Sequence, residues 1–366
     1  MPWPAALNLL APLAPWFDRM RRDLPWRAHN LDAPHPDPYA VLVSELMLQQ
    51  TQVATVVPYF NRWLERFPTP QALAEADEDT VHKAWEGLGY YRRARFLKAA
   101  AASVAAEGWP EDLEGLTRLP GLGPYSAAAV GAIAFQWPAP ALDGNAFRVL
   151  ARLLLIEGDP KIRAAELRAW LVPALEAHGP SRLTQAIMEL GATVCTPTPD
   201  CGACPLADAC AARRAERTGE IPPAGKRAKP KESSIWLVAM EAEGHLLLHA
   251  PAAKGLLAGL WRWPTIDASE GVPQPPLPGS FPMLAWPGWT QVYTHRREAV
   301  NPLHLRLNAR FQAAGGLRWI PAADLSTLPL GKRDQRLRGL LATPGQTPLE
   351  APDPGALIRA CAAPLG

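Results

Sequence analysis

Apolar residues recur three and four positions apart through Leu7–Met20, Tyr39–Trp63, Pro70–Gly87, Tyr91–Ala106, Arg163–Ala177 and Ser181–Val194, which predicts a succession of amphipathic helices. Prolines and glycines at 68, 70, 87, 89, 120, 121, 138, 140, 158 and 179 mark the breaks. Within this run, Leu119–Arg152 divides into a tight turn (Leu119-Pro120-Gly121-Leu122-Gly123), a small-residue helix from Tyr125 to Phe135, a proline-rich loop, and a second helix opened by Asp143-Gly144-Asn145. No strand alternation precedes residue 233, so residues 1–212 are expected to be all-α.

The pattern changes between Cys210 and Trp236. The segment AARRAERTGEIPPAGKRAKPKESS holds seven Lys/Arg and almost no bulky apolar residue, so 213–233 reads as a basic linker. From 234, SIWLVAMEAEGHLLLHA reads as two strands about a turn at Glu243-Gly244, and LHLRLNARF and LRWIP alternate further on. Residues 234–345 are therefore expected to form a smaller α+β domain, followed by a Pro-rich tail at 346–366.

Composition narrows the class. A chain of 366 residues with 48% hydrophobic and 20% charged residues is a globular protein of two or three domains, not a disordered one. No apolar run is long enough to cross a membrane, and the opening MPWPAALNLLAPLAPWFDRM lacks a basic segment before its apolar residues, so a cytoplasmic protein without a membrane partner is expected. A net charge of +2 says little about partners. Cysteine usage says more. Four of five, Cys195, Cys201, Cys204 and Cys210, fall within sixteen residues, which reads as a metal site and not as a disulfide framework. Four thiolates suit a tetrahedral zinc or an iron–sulfur cubane, and the spacing leaves the two open, with a structural staple as the expected role.

Three further stretches carry candidate chemistry. Glu45 lies among Val41, Leu42, Leu46 and Leu48, where burial would raise its pKa as a general acid requires; the plain alternative is a Glu at the solvent edge of its helix. The run Gln49-Gln50-Thr51-Gln52 supplies uncharged hydrogen-bonding groups suited to base edges, or simply ends the helix. Gly87 to Arg95 joins a glycine-flexible turn to two tyrosines and three arginines, which fits a base-flipping wedge or a solvated basic helix. Asp143 is either an N-cap or a catalytic carboxylate. Gly121 and Gly123 would let a phosphate approach the backbone at a helix start.

Together, the turn LPGLGPY, the aspartate of LDGN and the four-cysteine loop resemble the helix-hairpin-helix DNA glycosylases. Within that superfamily, LPWR (24–27), SELMLQQTQV and GLGYY look like the adenine DNA glycosylases of the MutY type, over residues from about 12 to 212. The resemblance implies a helix-hairpin-helix glycosylase domain followed by a Nudix-like C-terminal domain, and a [4Fe–4S] cluster, with zinc as the alternative, on the four cysteines. It implies a monomeric enzyme that removes adenine opposite 8-oxoguanine or G from double-stranded DNA. Carried over by position, Glu45 matches the catalytic acid and Asp143 the catalytic aspartate; Asn145 is expected to support the helix start and Glu45, through a hydrogen bond or water. Tyr125 stands at the seventh position of the hairpin motif, where lyase relatives carry a Schiff-base lysine, which implies a monofunctional hydrolase. Arg22, Trp26, Arg27, Leu46 and Gln185 match the adenine pocket; Gln50, Thr51, Leu88 and Tyr90 match positions around 8-oxoguanine, with Tyr90 as wedge.

In the second domain, GLLAGLWRWP resembles the family's glycine-tryptophan stretch, and Val292-Tyr293-Thr294-His295 its lesion-sensing loop, with Thr294 and His295 as contacts. A full Nudix box with paired glutamates is absent from the sequence, so lesion recognition is expected and not pyrophosphohydrolysis. The chain departs from the family pattern with five residues between its first two cysteines where six are usual, and with Gln291 where His is common. The rival readings are an endonuclease III-like glycosylase/lyase, a metal-stapled DNA-binding protein without catalysis, and an electron carrier.

Overall fold

A computed structural model of the chain describes residues 3–223, 225, 229–252, 255, 257–268, 283–293 and 295–342. Its helices run in the order α1 (Ala6–Leu10), α2 (Leu13–Met20), α3 (Pro38–Leu48), α4 (Val53–Arg66), α5 (Pro70–Glu75), α6 (Glu78–Ala84), α7 (Arg92–Glu107), α8 (Leu113–Arg118), α9 (Pro124–Phe135), α10 (Gly144–Leu154), α11 (Ala164–His178), α12 (Pro180–Thr193) and α13 (Ala211–Arg214). Among the described residues, seven strands and a further helix follow: β1 (Lys231–Ala242), β2 (His245–His249), β3 (Thr265–Asp267), β4 (Met283–Ala285), β5 (Trp289–Val292), β6 (Arg296–Leu307), β7 (Leu317–Pro321) and α14 (Lys332–Leu341). The expected Pro-rich tail lies outside the described residues.

The chain divides into two units, 1–75 with 96–226, and 76–95 with 227–366. A cut in chain order would leave 76–95 with the helices. The side chains place it otherwise: Glu86 Oε1 accepts from the Leu330 N–H at 3.0 Å, the Tyr91 hydroxyl donates to Leu330 O at 3.3 Å, and His82 lies where a Cβ on Gly259 would meet it at 2.4 Å. In the linker region, Ile221 is buried in the first unit's core and β1 already begins at Lys231.

Among its described residues the first unit has helices and no strand, as expected. Two helices form its centre because they carry almost no polar side chains. In α3, nine residues from Tyr39 to Met47 are buried, and Asp37 caps the start by accepting from the Tyr39 and Ala40 N–H groups at 3.0 and 3.1 Å. In α9, Ser126 to Ala134 are buried, and its small side chains allow close packing on α3. Three segments expected as single helices are each split in two, at Ala11-Pro12, at 49–52 and at 76–77. The break at 49–52 has a physical cause. Apolar residues give way to four uncharged polar ones, and Gln50 takes a left-handed φ of 58° that ends the helix.

The second unit carries the mixed sheet of an α+β fold, ordered β4-β6-β1-β2-β7, with β3 on β1 and β5 on β6. Strands β1 and β6 pair in parallel, Lys231 with Arg296 through Ala242 with Leu307; the other pairs are antiparallel. The expected Glu243-Gly244 turn joins β1 to β2, with φ of 51° and 71° at its two residues, as a tight hairpin with the sheet's twist requires. Alternation along β1 sends Ile235, Leu237 and Ala239 to one core and Val238 and Met240 to another. Leu337 of α14 is buried in the first of these cores.

Candidate active site

A cleft of about 1010 Å³ opens in the first unit, lined from the ends of α3, α9, α10 and α12. It brings together Glu45, Tyr125, Asp143, Asn145, Gln50, Thr51, Arg22, Trp26, Arg27 and Gln185, positions spread over more than half of the unit's sequence. Leu46 is an exception. Although expected in the pocket, it is fully buried and does not line the cleft, because the residue after Glu45 on a helix points about 100° away. Leu24, Val41 and Leu48 form the apolar wall instead.

Glu45 is buried on α3, and the Tyr125 hydroxyl donates to its Oε2 at 3.3 Å. Burial, with the nearby Asp143 adding to it against the Tyr125 hydrogen bond, pushes its pKa from 4.5 up to about 7. With the Tyr125 hydrogen bond already counted, ionising it costs about 3 kcal/mol more than for a free carboxyl. Burial also pushes the Tyr125 phenol up, with Glu45 and Asp143 adding to the effect, so it remains a donor.

Asp143 is the N-cap of α10: its Oδ1 accepts from the Ala146 N–H at 2.7 Å, and its backbone is extended. Capping uses one carboxylate oxygen, and Asp143 also lines the cleft, so the cap and the catalytic reading are compatible. Asn145 was expected to support Glu45. Its hydrogen bond is made elsewhere, with Arg148 Nη2 donating to Asn145 Oδ1 at 2.7 Å.

The hairpin expected at 119–125 is α8, a turn, and α9. Gly121 has φ of 82°, and a Cβ there would meet Phe96 Cβ at 2.5 Å, so only glycine fits. Gly123 caps α9 with Pro124 at N1, and a Cβ there would meet nothing within 4 Å. Its backbone is therefore open at a helix start, which suits an approaching phosphate.

Sequence reading missed the group that orders the far wall. Glu189 on α12, buried, accepts from Arg22 Nε at 2.6 Å and Nη2 at 3.0 Å, and from Arg27 Nη2 at 2.6 Å. Burial alone would raise its pKa, but the Arg22 and Arg27 hydrogen bonds outweigh it and hold the carboxylate below its ordinary value. Trp26 packs edge-on against Phe60 at 5.3 Å, and Gln185 is tied to Ser181 Oγ at 3.1 Å. At the rim, Gln49 Nε2 donates to Ser126 Oγ at 3.0 Å, fixing the turn that carries Gln50 and Thr51.

Leu88 and Tyr90 belong to the second unit. Leu88 is buried, while Tyr90 is exposed with a left-handed φ of 48° and the Arg93 guanidinium 5.4 Å from its ring. His295 is exposed; Thr294 lies outside the described residues.

The four cysteines are half-buried free thiols in the loop between α12 and α13. Burial, with the other three cysteines adding to it, pushes the Cys204 thiol up to about 11. Among the described residues, no group of three or more side chains is arranged as a single-ion cage. The donor chemistry, four sulfurs in one loop, fits a thiolate-bound metal cluster. Two arginines on α10 hold this loop, and sequence reading missed both. Buried Arg152 donates to Thr196 O at 2.6 Å, Pro197 O at 3.0 Å, Ile221 O at 2.8 Å and Cys195 Sγ at 3.4 Å. Arg148 donates to Cys195 O and Gly191 O, each at 2.8 Å. The helix capped by Asp143 is thus also the helix that carries the cysteine loop.

Residues 43–173 match the HhH-GPD superfamily of base excision DNA repair proteins. The chain is 34% identical to the adenine DNA glycosylase of Homo sapiens over 378 residues, covering 88% of this chain and 69% of that protein. It is 43% identical to that of Mycobacterium tuberculosis over 214 residues, 57% of this chain and 67% of that protein. With the enzyme of Arabidopsis thaliana it shares 36% identity over 297 residues, 70% of this chain but 47% of that longer protein, of which it spans about half. By fold, cleft and relatives, the chain belongs to the adenine DNA glycosylase family of the HhH-GPD superfamily.

Proposed function

We propose that this protein is a monofunctional glycosylase that extrudes adenine mispaired with 8-oxoguanine or G from duplex DNA and hydrolyses its N-glycosidic bond. The observation that carries the reading is a buried Glu45, its pKa pushed up to about 7, in one cleft with Asp143. Glu45 delivers its proton to adenine N7. The C1′–N9 bond then breaks with its electron pair leaving on the base, and the sugar takes up positive charge. The Asp143 carboxylate stabilises that charge at C1′ or bonds to it transiently until water adds, as in retaining glycosidases. Tyr125 orients the two acids. Having no amine, it forms no Schiff base, so strand cleavage does not follow base release.

Arg22, Arg27, Trp26 and Gln185 would hold the extruded base, with Glu189 fixing the two arginines. Gln50, Thr51, Leu88 and Tyr90 would fill and wedge the space around the opposite base, and Thr294 and His295 of the second unit would read 8-oxoguanine. Cys195, Cys201, Cys204 and Cys210 would hold a [4Fe–4S] cluster, which when bound staples their loop beside α10; a brown protein with absorbance near 400 nm, as iron–sulfur proteins show, would distinguish it from a zinc site.

The test is to incubate the protein with duplexes carrying A opposite 8-oxoguanine, A opposite G, or thymine glycol. Adenine release from the first two, with no strand scission before alkali, is the expected result. Processing of thymine glycol with scission would replace this reading with the lyase one.

A further inference from the structure

The turn between α6 and α7 holds three left-handed backbone positions, Gly87 at φ of 102°, Gly89 at 73° and Tyr90 at 48°. Tyr90 alone of these carries a side chain, in a conformation that strains any residue but glycine, and it is 45% exposed. The two glycines add backbone freedom on its N-terminal side, so the turn by itself does little to fix the ring's direction. Arg93, in the first turn of α7, reaches back to it. Its Nη2 donates to Leu88 O at 3.3 Å and to Gly89 O at 3.1 Å, and its backbone N–H donates to Tyr90 O at 2.9 Å. Gly89 O also accepts from Nε1 of the fully buried Trp85 at 3.0 Å. The same guanidinium lies 5.3 Å from the Trp85 ring and 5.4 Å from the Tyr90 ring. An exposed ring thus leans on a cation that is anchored to a core tryptophan.

We infer that Arg93 is a positioning residue, whose guanidinium braces the Tyr90 ring against Trp85 so that the ring can hold a base step open while adenine is extruded. This rests on the proposed reading of Tyr90 as the wedge. A ring driven between stacked bases is pushed back by the stack it has parted, so a side chain that swings on its turn opens less than one that is backed. Arginine suits the task because its planar fork reaches two carbonyls while its face meets the rings; a lysine ammonium is a point charge and cannot do both. With 6% of its surface exposed, Arg93 is withdrawn from the DNA backbone, which leaves Tyr90 as the route by which it acts.

The experiment compares single-turnover adenine release from an A:8-oxoG duplex by the full chain, by Tyr90→Leu, by Arg93→Lys and by the double variant, and repeats Arg93→Lys on a Tyr90→Phe background. Tyr90→Leu should slow release about tenfold or more, through loss of the wedge. Arg93→Lys should slow it about three- to thirtyfold while affinity for a fully paired duplex holds. With leucine at position 90 there is no ring to brace, so Arg93→Lys adds no further loss there, whereas on Tyr90→Phe, which keeps the ring, it costs what it costs in the parent. Arg93→Gln, which keeps amide donors but loses the charge, carries the same cycle where Arg93→Lys melts early. Parent-like release by the Arg93 variant, or losses that multiply with Tyr90→Leu as a purely structural role would give, would overturn the inference. Parent-like release by Tyr90→Leu would instead overturn the wedge reading, and the inference with it.

Discussion

Both units bury carboxylates against guanidinium groups, and the first unit buries one without. In the second, Glu298 and Asp334 lie against Arg333, and Arg296 adds a further ion pair to Glu298. Glu189 in the first unit is held the same way between Arg22 and Arg27. Glu45 has a neutral phenol for its hydrogen-bond partner and another acid nearby, and its pKa is pushed up to about 7. The Arg22 and Arg27 hydrogen bonds hold Glu189 below its ordinary carboxylate value, whereas Glu45, with no guanidinium partner, is raised; burial raises Asp334 even beside Arg333. The contrast separates the residues expected to carry chemistry from those expected to hold them.

The largest test of that division is Asp143→Asn. Asparagine caps a helix as well as aspartate does, so the melting temperature should hold while base release falls by roughly three orders of magnitude or more and duplex binding persists. Loss of stability with activity retained would return Asp143 to a cap alone. Glu45→Gln follows, with an expected loss of about 10²- to 10⁴-fold in single-turnover rate. Tyr125→Lys tests the third member of the site: a covalent adduct with DNA, trapped by borohydride, is expected, and absence of any adduct on a folded variant would contradict the assignment of that position.

How much of this was legible in the sequence depends on the reach of each interaction. The α-then-α+β order, the Glu243-Gly244 turn and the starts of α9 and α10 follow from periodicity and local backbone chemistry, so they were readable. Glu45, Asp143 and Tyr125 were readable as a set through the family's motifs. Periodicity alone ran through the break at 49–52, because four glutamine and threonine residues carry no Gly or Pro, and that break forms the cleft's rim. Arg148, Arg152 and Glu189 were invisible for another reason. Their partners lie tens to over a hundred residues away, so each reads as an ordinary charge on an amphipathic helix. The same limit hid the placement of 76–95 with the second unit, which depends on Glu86 and Tyr91 reaching Leu330. Leu46 was misplaced because matching a motif by position did not respect the direction of its side chain.

The smallest expected effect lies in the second unit. His295→Ala should reduce the preference for A:8-oxoG over A:G about two- to fivefold, as loss of one exposed polar contact does, with base release from A:G barely altered. An equal fall on both duplexes would assign the second unit to general DNA affinity.

The central claim is that the first unit's cleft works through a Glu45 held protonated by its burial. The most direct measurement is the pH dependence of single-turnover adenine release, for the parent and for Glu45→Gln. With the acid form active and its pKa at about 7, the parent's rate should be level below that value and fall about tenfold per pH step above it, while Glu45→Gln, slow throughout, shows no such limb. A parent rate that stays flat well above pH 7, or the same falling limb in Glu45→Gln, would contradict it.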